Sequence, residues 1–508
     1  MKNCKICVMG LDGVNRQVLD MINLKSGMNK FYSDMISTIP PYTPPAWTSI
    51  VTGVNPGKHG IFGFYNVKNG QISLANSFNV KHLRLFEIAD LGKLKSIVVN
   101  VPMSYPFEGI QSLKNTTIVT DWASPVQSIY PERIFEKYKE YLIEPPNWNP
   151  AAGMYFKYSK DYNEVAHEIQ EYLKTRLNLY YDLLENFDWN LFFIVFSETD
   201  WLLHRIPRLL EGKRISKVQS IFRELRNFFK RACEVSDFVF VVSDHGFEIK
   251  KQKISINALL LRNNMLKLRY SLKKSKSKNE RKNFIQAVSQ ENKRKTNLES
   301  LMNILGNAIP KGLLKVLIRK LGRVLPIFSE IDWINSDAYM FEHGKWGIYV
   351  NRNLERVKRI LESSEGISKV VSPKEIYYGP HLNNAPDLVL IPEEGILFDV
   401  NYRNEIHTET YEADHEKTGV FLVVGDLVRE TAPSKVLNVY DVTPTILHIF
   451  GLPIPNDADG RVLTAMFEPD SELTKRKPTY VELSYYAKKA EEDKLKAGIK
   501  KLKTRGKI

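Results

Sequence analysis

The stretch WNLFFIVFSETDWLLH, residues 189–204, holds an apolar run that stops at a carboxylate, Asp200, and four residues later reaches an imidazole, His204. Because the run is apolar at every position and not at every second one, it suits a strand buried on both faces of a parallel sheet. In an open parallel sheet, residues just beyond the carboxyl ends of the strands face the binding crevice. Asp200 and His204 therefore fall where ligands bind, and their spacing puts them on one face of a helix that begins at Thr199 or Asp200.

Two other runs end in the same way: ICVMGLDG (6–13) at Asp12, and FVFVVSDHG (238–246) at Asp244 and His245. Up to about Ser255, runs such as SIVVNVP (96–102) and NTTIVTDWAS (115–124) alternate with amphipathic stretches, for example 164–186. That alternation is the pattern of an α/β fold. A fourth ionisable group, His415, precedes a later apolar run in EADHEKTGVFLVVG (412–425). Taken singly, an aspartate at a strand end is as readily a helix cap or a turn residue. Four distant segments delivering Asp and His to one sheet edge point instead to a site for zinc or a similar divalent cation.

A hydroxyl completes the set. In IPPYTPPAWTSIVTGVNPGKHGIFGF (39–64), Thr43 lies ahead of two prolines and an apparent helix of Ala46 to Val51. The positive end of a helix dipole favours alkoxide and phosphate oxygens, although a threonine there can be no more than an N-cap.

The remaining composition is consistent with a soluble enzyme acting on anions. The chain has 508 residues, 43% hydrophobic and 26% charged, with a formal net charge of +14. Such an excess favours phosphate substrates, anionic lipid or nucleic acid without choosing among them. No window approaches the roughly 18 apolar residues of a membrane span, and the run before Asp12 is too short for a signal sequence. The three cysteines, Cys4, Cys7 and Cys233, are too few for a disulfide framework, so a cytoplasmic setting is expected. Cys4 and Cys7 form a C-x-x-C, but strand residues three apart point to opposite faces, so buried thiols are expected there.

Between about Ser255 and Ser329 the composition turns to Lys, Arg, Asn and Ser, then to a basic amphipathic stretch in which Leu314, Leu317, Ile318, Leu321 and Leu325 keep helical spacing beside Lys315, Arg319 and Arg323. This helix can cap the core or lie on an anionic membrane surface, and the core-facing role is the commoner. Strand-like runs resume with KWGIYVN, APDLVLIP and GVFLVVG, and VYDVTPTILHIFGLPIP contributes a helix from Thr443 or Pro444 to Gly451.

The run TPPAWTSIVTGVNPGKHGI (43–61), with GLDG, D-x-x-x-H, SDHG and a late His in order, resembles the alkaline phosphatase superfamily in its type I phosphodiesterase and nucleotide pyrophosphatase branch. The resemblance covers roughly residues 4–65, 190–248 and 331–466, and it implies an alkaline-phosphatase-like three-layer sandwich with a mostly parallel central sheet and an inserted helical cap. The implied layout is a discontinuous core of residues 1–255 and 331–466, a basic, mainly helical insertion at 256–330, and a Lys-rich tail at 467–508. Carried over by residue, it implies that Asp200, His204 and His415 bind one metal while Asp12, Asp244 and His245 bind another beside Thr43, the nucleophile. His407 competes with His415 for the late position. The implied cofactors are two zinc ions, with manganese the other candidate.

Ala46 stands where nucleotide pyrophosphatases commonly carry an Asn that holds a phosphoryl oxygen. Asn100, His59 and Lys58 are candidate replacements, each with a structural role as the commoner reading. Sulfatase activity is not expected as the main role, since the segment Thr43 to Trp47 offers no Cys or Ser of the kind that sulfatases of the superfamily convert to formylglycine. The expected function is hydrolysis of phosphodiester or pyrophosphate bonds through a phosphothreonine. A monoesterase or phosphotransferase of the same superfamily, or a silent basic protein binding membrane or nucleic acid, are the competing readings. No sequence-specific nucleic-acid recognition is expected, and peripheral membrane contact would run through the basic insertion.

Overall fold

The computed structural model describes residues 4–25, 28–68, 71–138, 161–272, 327–342, 346–403, 405–431 and 436–492. Among these, the dominant element is a nine-stranded sheet ordered Leu437–Asn438, Lys30–Ile36, Thr418–Val424, Phe238–Val242, Ile6–Leu11, Leu191–Phe196, Ser96–Val99, Thr116–Val119, Ile129–Tyr130. The five strands from Phe238–Val242 to Thr116–Val119 run parallel to one another, whereas Thr418–Val424 is antiparallel to both of its neighbours.

Alternation along the Ile6–Leu11 strand builds the three layers. Cys7, Met9 and Leu11 enter an apolar cluster roofed by the helices Arg16–Ile22, Tyr162–Asn186 and Ser216–Val235. Ile6 and Val8 enter the opposite cluster, under the helices Thr43–Thr52, Leu85–Leu91 and Val442–Phe450. Burying each large aliphatic side chain contributes about 1.5–3 kcal/mol, so a strand buried on both sides anchors both helical layers. Gly10 is required between them, since a Cβ there would come within 2.4 Å of the Trp47 ring. Cys4 and Cys7 lie in opposite clusters, as strand alternation requires, and burial pushes the Cys4 thiol up to about 12.

The later runs divide between sheets. GVFLVVG joins the central sheet, but KWGIYVN and APDLVLIP supply Gly347–Val350 and Leu388–Pro392 to a separate four-stranded antiparallel sheet with Ala338–Met340 and Ile367–Val371. Strand-like apolar runs reveal that strands form, but not which sheet they join. Residues Ile256, Leu259, Leu260, Met265 and Leu266 pack in one cluster with that second sheet. The stretch with Leu314 and Lys315, where a basic helix is expected, lies outside the described residues. Within the tail, Leu473 and Tyr486 are buried against the core and Tyr480–Val481 pairs with Ile454–Pro455.

A third sheet positions the site. Gly246–Ser255 begins directly after His245 and pairs with Ile396–Asp399 on one side and His407–Glu416 on the other. His415 therefore sits within a strand of this sheet, opposite Phe247, as well as ahead of the Thr418–Val424 strand. No helix among the described residues is long and apolar enough to cross a membrane.

Candidate active site

Three strand ends of the central sheet deliver the acidic groups. Asp12 follows the Ile6–Leu11 strand, and its backbone N–H donates to the Phe196 carbonyl at 3.1 Å. The chain then turns at Gly13, with φ +74°, where a Cβ would stand 2.4 Å from the Phe247 ring. Only glycine meets both conditions. The turn aims the Gly13 N–H at Asp244 Oδ1, 3.2 Å away, while Val14 N–H reaches Ser243 Oγ at 2.7 Å, so the GLDG and SDHG turns brace each other.

Asp200 and His204 share one face of the helix Glu198–Arg205, which starts one residue before the earliest expected position. Thr43 is the first residue of the helix Thr43–Thr52, whose N-cap is Tyr42, so the threonine does not serve as the cap itself. Pro44 and Pro45 occupy the first turn, where a missing N–H costs nothing.

These elements converge in two groups. Asp200 Oδ1 lies 3.5 Å from His204 Nε2 and 3.3 Å from His415 Nε2, and the two imidazole nitrogens are 3.0 Å apart. In the other group, His245 Nε2 lies 3.6 Å from Asp12 Oδ1, 3.3 Å from Asp244 Oδ2 and 3.3 Å from Thr43 Oγ1. Metal bonds of about 2.0–2.1 Å in a tetrahedron place ligand atoms about 3.3–3.4 Å apart, which matches these spacings.

Two further observations fit a cation in each place. The buried oxygens Asp12 Oδ1, Asp200 Oδ1 and Asp244 Oδ2, which face the imidazoles, have no hydrogen-bond donor among the described residues. Each histidine also turns Nδ1 to a backbone carbonyl: His204 to Ala413, His415 to Pro41 and His245 to Gly246. A carbonyl only accepts, so the proton sits on Nδ1 and the Nε2 lone pair points inward. The groups adjoin, since the His245 and His415 rings stack at 3.8 Å.

The electrostatics of the protein alone are unfavourable. Burial, then the neighbouring carboxylates Asp244 and Asp200, hold the Asp12 carboxyl well above its usual range, and burial raises Asp244 as well. Burial also drives His245 well below the ordinary imidazole value. His415 goes the other way: burial lowers it, but the facing Asp200 carboxylate and the charges of Asp414 and Asp244 together raise it. Positive charge placed among these groups relieves the repulsion.

His407 is exposed at the far end of the same strand as His415, facing Ile254. Eight residues of extended chain span roughly 27 Å, so only His415 reaches the cluster. Asn100 is fully buried at the end of Ser96–Val99, and its amide donates to the Val195 carbonyl at 3.0 Å and the Tyr180 hydroxyl at 3.3 Å. His59 accepts the Ile61 N–H on Nδ1, so its Nε2 proton points to Ser49 Oγ at 3.0 Å. Lys58 pairs with Asp459.

Two residues near the cluster have no counterpart in the sequence reading. Trp47 Nε1 donates to Asp12 Oδ2 at 3.4 Å. Asp414 groups with His204 and His415, one ligand atom of each lying within 4.8 Å of the others. Its position next to His415 was the available signal.

Comparison with known proteins settles the lineage. A family model for type I phosphodiesterase / nucleotide pyrophosphatase matches residues 6–419. The chain belongs to that family. Metal-dependent hydrolysis of phosphoesters is the chemistry of type I phosphodiesterases, and the chain is a hydrolase of this kind with Asp and His groups able to hold metal. Comparison with curated protein sequences found no match. Among solved structures, the wild-type alkaline phosphatase PafA is similar at 13% identity and TM-score 0.51, with 92% of this chain and 100% of that one covered. An inactive murine ectonucleotide pyrophosphatase/phosphodiesterase 5 in complex with AMP aligns at 12% identity and TM-score 0.51 over 92% and 100% of the two chains. Phosphonoacetate hydrolase from Sinorhizobium meliloti aligns at 14% and 0.50 over 87% and 94%. These likenesses establish an alkaline-phosphatase-like fold for this type I phosphodiesterase family member.

Proposed function

We propose that the enzyme cleaves phosphodiester or pyrophosphate bonds through a covalent phosphothreonine at Thr43. The observation that carries this reading is the position of Thr43 Oγ1, 3.3 Å from His245 Nε2, which itself lies 3.6 and 3.3 Å from two carboxylate oxygens that have no hydrogen-bond donor among the described residues. Asp200, His204 and His415 would hold one divalent cation, and Asp12, Asp244 and His245 the other. Zinc suits this ligand set best, with manganese second. The ions would supply Lewis acidity, favouring the Thr43 alkoxide and screening the phosphoryl charge.

Thr43 Oγ1 forms a bond to phosphorus as the bond to the departing oxygen breaks, and that oxygen leaves with a proton as an alcohol or phosphate. Water then attacks the phosphothreonine, which returns the Thr43 hydroxyl and releases the second product. The helix N-terminus behind Thr43 favours negative charge on its oxygen throughout. Ala46 is fully buried, and Asn100 gives its amide to protein acceptors, so neither is assigned to the phosphoryl group. Cys4, Cys7 and Cys233 are free thiols, which supports a reducing, cytoplasmic setting. We assign residues 256–330 to an insertion in the catalytic core.

The test is turnover of bis-p-nitrophenyl phosphate by zinc- or manganese-loaded protein, with rapid quenching and mass spectrometry of the Thr43 peptide. A phosphoryl adduct on Thr43 is expected. Turnover without any adduct under single-turnover conditions would overturn the covalent route.

A further inference from the structure

We infer that the buried pair Arg176–Glu198 is a positioning device that sets the orientation of Asp200 and His204, and thereby the affinity of one of the two metal sites. The inference rests on the metal assignment proposed above. Arg176 Nη1 and Glu198 Oε1 are 3.5 Å apart, and neither side chain has any exposed surface. Glu198 is the first residue of the eight-residue helix that carries Asp200 and His204. That helix begins without a conventional cap, because the side chain of its N-cap, Ser197, makes no capping hydrogen bond.

Two other contacts anchor the start of the helix. Glu198 is held from the long helix Tyr162–Asn186 by Arg176, whose guanidinium lies 4.6 Å from the Tyr172 ring centre and 5.5 Å from that of Tyr180. The next residue, Thr199, donates its hydroxyl to the Asp12 carbonyl at 2.6 Å. Three consecutive residues are therefore committed in turn to the neighbouring helix Tyr162–Asn186, to the strand end of the other metal group, and to the cluster itself. Asn100 extends the bracing, since its amide reaches both the Tyr180 hydroxyl and the Val195 carbonyl.

A buried ion pair is seldom more stabilising than apolar residues of equal volume, so stability alone does not account for one here. What the pair adds is direction. The planar guanidinium, stacked on aromatic rings, fixes the carboxylate of Glu198 within narrow limits, and a rotation of this short helix would move Asp200 and His204 together. Removing groups that orient metal ligands typically lowers metal affinity 10–100-fold.

The experiment is zinc titration of the full chain against a chromophoric chelator, for wild type, Arg176→Lys, Glu198→Gln and the apolar double variant Arg176→Met/Glu198→Leu. Wild type should bind two equivalents, and binding of none would overturn the metal assignment itself. Arg176→Lys keeps the charge but loses the planar, stacked geometry, so one equivalent should weaken at least about tenfold while the other holds. Glu198→Gln, which retains an acceptor for Arg176, should keep both affinities within about threefold. The folded double variant should match Arg176→Lys. Two wild-type affinities in Arg176→Lys, or in the double variant where it folds, would overturn the positioning role.

Discussion

Nε2 of His204 and Nε2 of His415 face each other across 3.0 Å, although 211 residues separate them in the chain. Each ring is held from behind by a backbone carbonyl, so the approach of the two lone pairs is built into the fold. Without a cation between them, the arrangement is repulsive.

The first expectation concerns these two rings and the competing histidine. His415→Ala should lower the affinity of one metal equivalent by more than 100-fold and reduce diesterase turnover to near background. His407→Ala, roughly 27 Å along the strand, should bind metal and turn over like wild type. Calorimetric metal titration of both variants makes the comparison.

Thr43→Ala should bind both ions but lose at least about a thousandfold in kcat, since the covalent route has no substitute oxygen. Thr43→Ser should keep a measurable fraction. Steady-state hydrolysis of bis-p-nitrophenyl phosphate, with metal content determined on the same samples, distinguishes loss of the nucleophile from loss of the site.

The acidic groups predict a pH dependence for the metal-free protein. The Asp12 and Asp244 carboxyls are raised in the folded state, so the folded state binds more protons than the unfolded chain between the ordinary carboxylate value and the raised ones. Their contribution to stability is present below the ordinary value and is lost as pH rises through that window. At pH 8 the metal-free Asp244→Asn variant should therefore melt above metal-free wild type by about 1–3 °C, a difference that vanishes near pH 4. The same coupling makes zinc binding release protons, so affinity should climb with pH. Differential scanning calorimetry and titrations in two buffers provide the readout.

Gly13→Ala should destabilise the protein by about 2–5 kcal/mol, combining the left-handed φ with overpacking against Phe247. Chemical denaturation measures this directly, and activity of the folded fraction should fall with it because the GLDG and SDHG turns share that contact.

Much of this architecture can be read from residue order alone. The strands ending at Asp12, Asp200 and Asp244 are buried on both faces, which leaves an unbroken apolar run that polar alternation cannot disguise. His415 is different. Its strand, HTETYEADHE, carries charge on its exposed face, so its polar character resembles that of a loop, and its pairing with Gly246–Ser255 depends on a register no local pattern records. The Arg176–Glu198 pair was illegible for a related reason: an arginine inside an amphipathic helix gives no sign of being fully enclosed until a second helix is laid over it. Thr43 could be picked out by its neighbours, but its place as the first helical residue, behind Tyr42, depended on where the two prolines let the helix start.

The site is assembled from two sheets. Thr43, Asp12 and Asp200 are anchored to the central sheet and its helices, whereas His415 belongs to the three-stranded sheet that starts at Gly246. The strand that carries His415 is tied to the central-sheet side at two points, by the hydrogen bond from His415 Nδ1 to the Pro41 carbonyl and by the stacking of the His415 and His245 rings. A displacement of the His407–Glu416 strand would therefore be felt in the segment that leads into Thr43 as well as at His204 and Asp200.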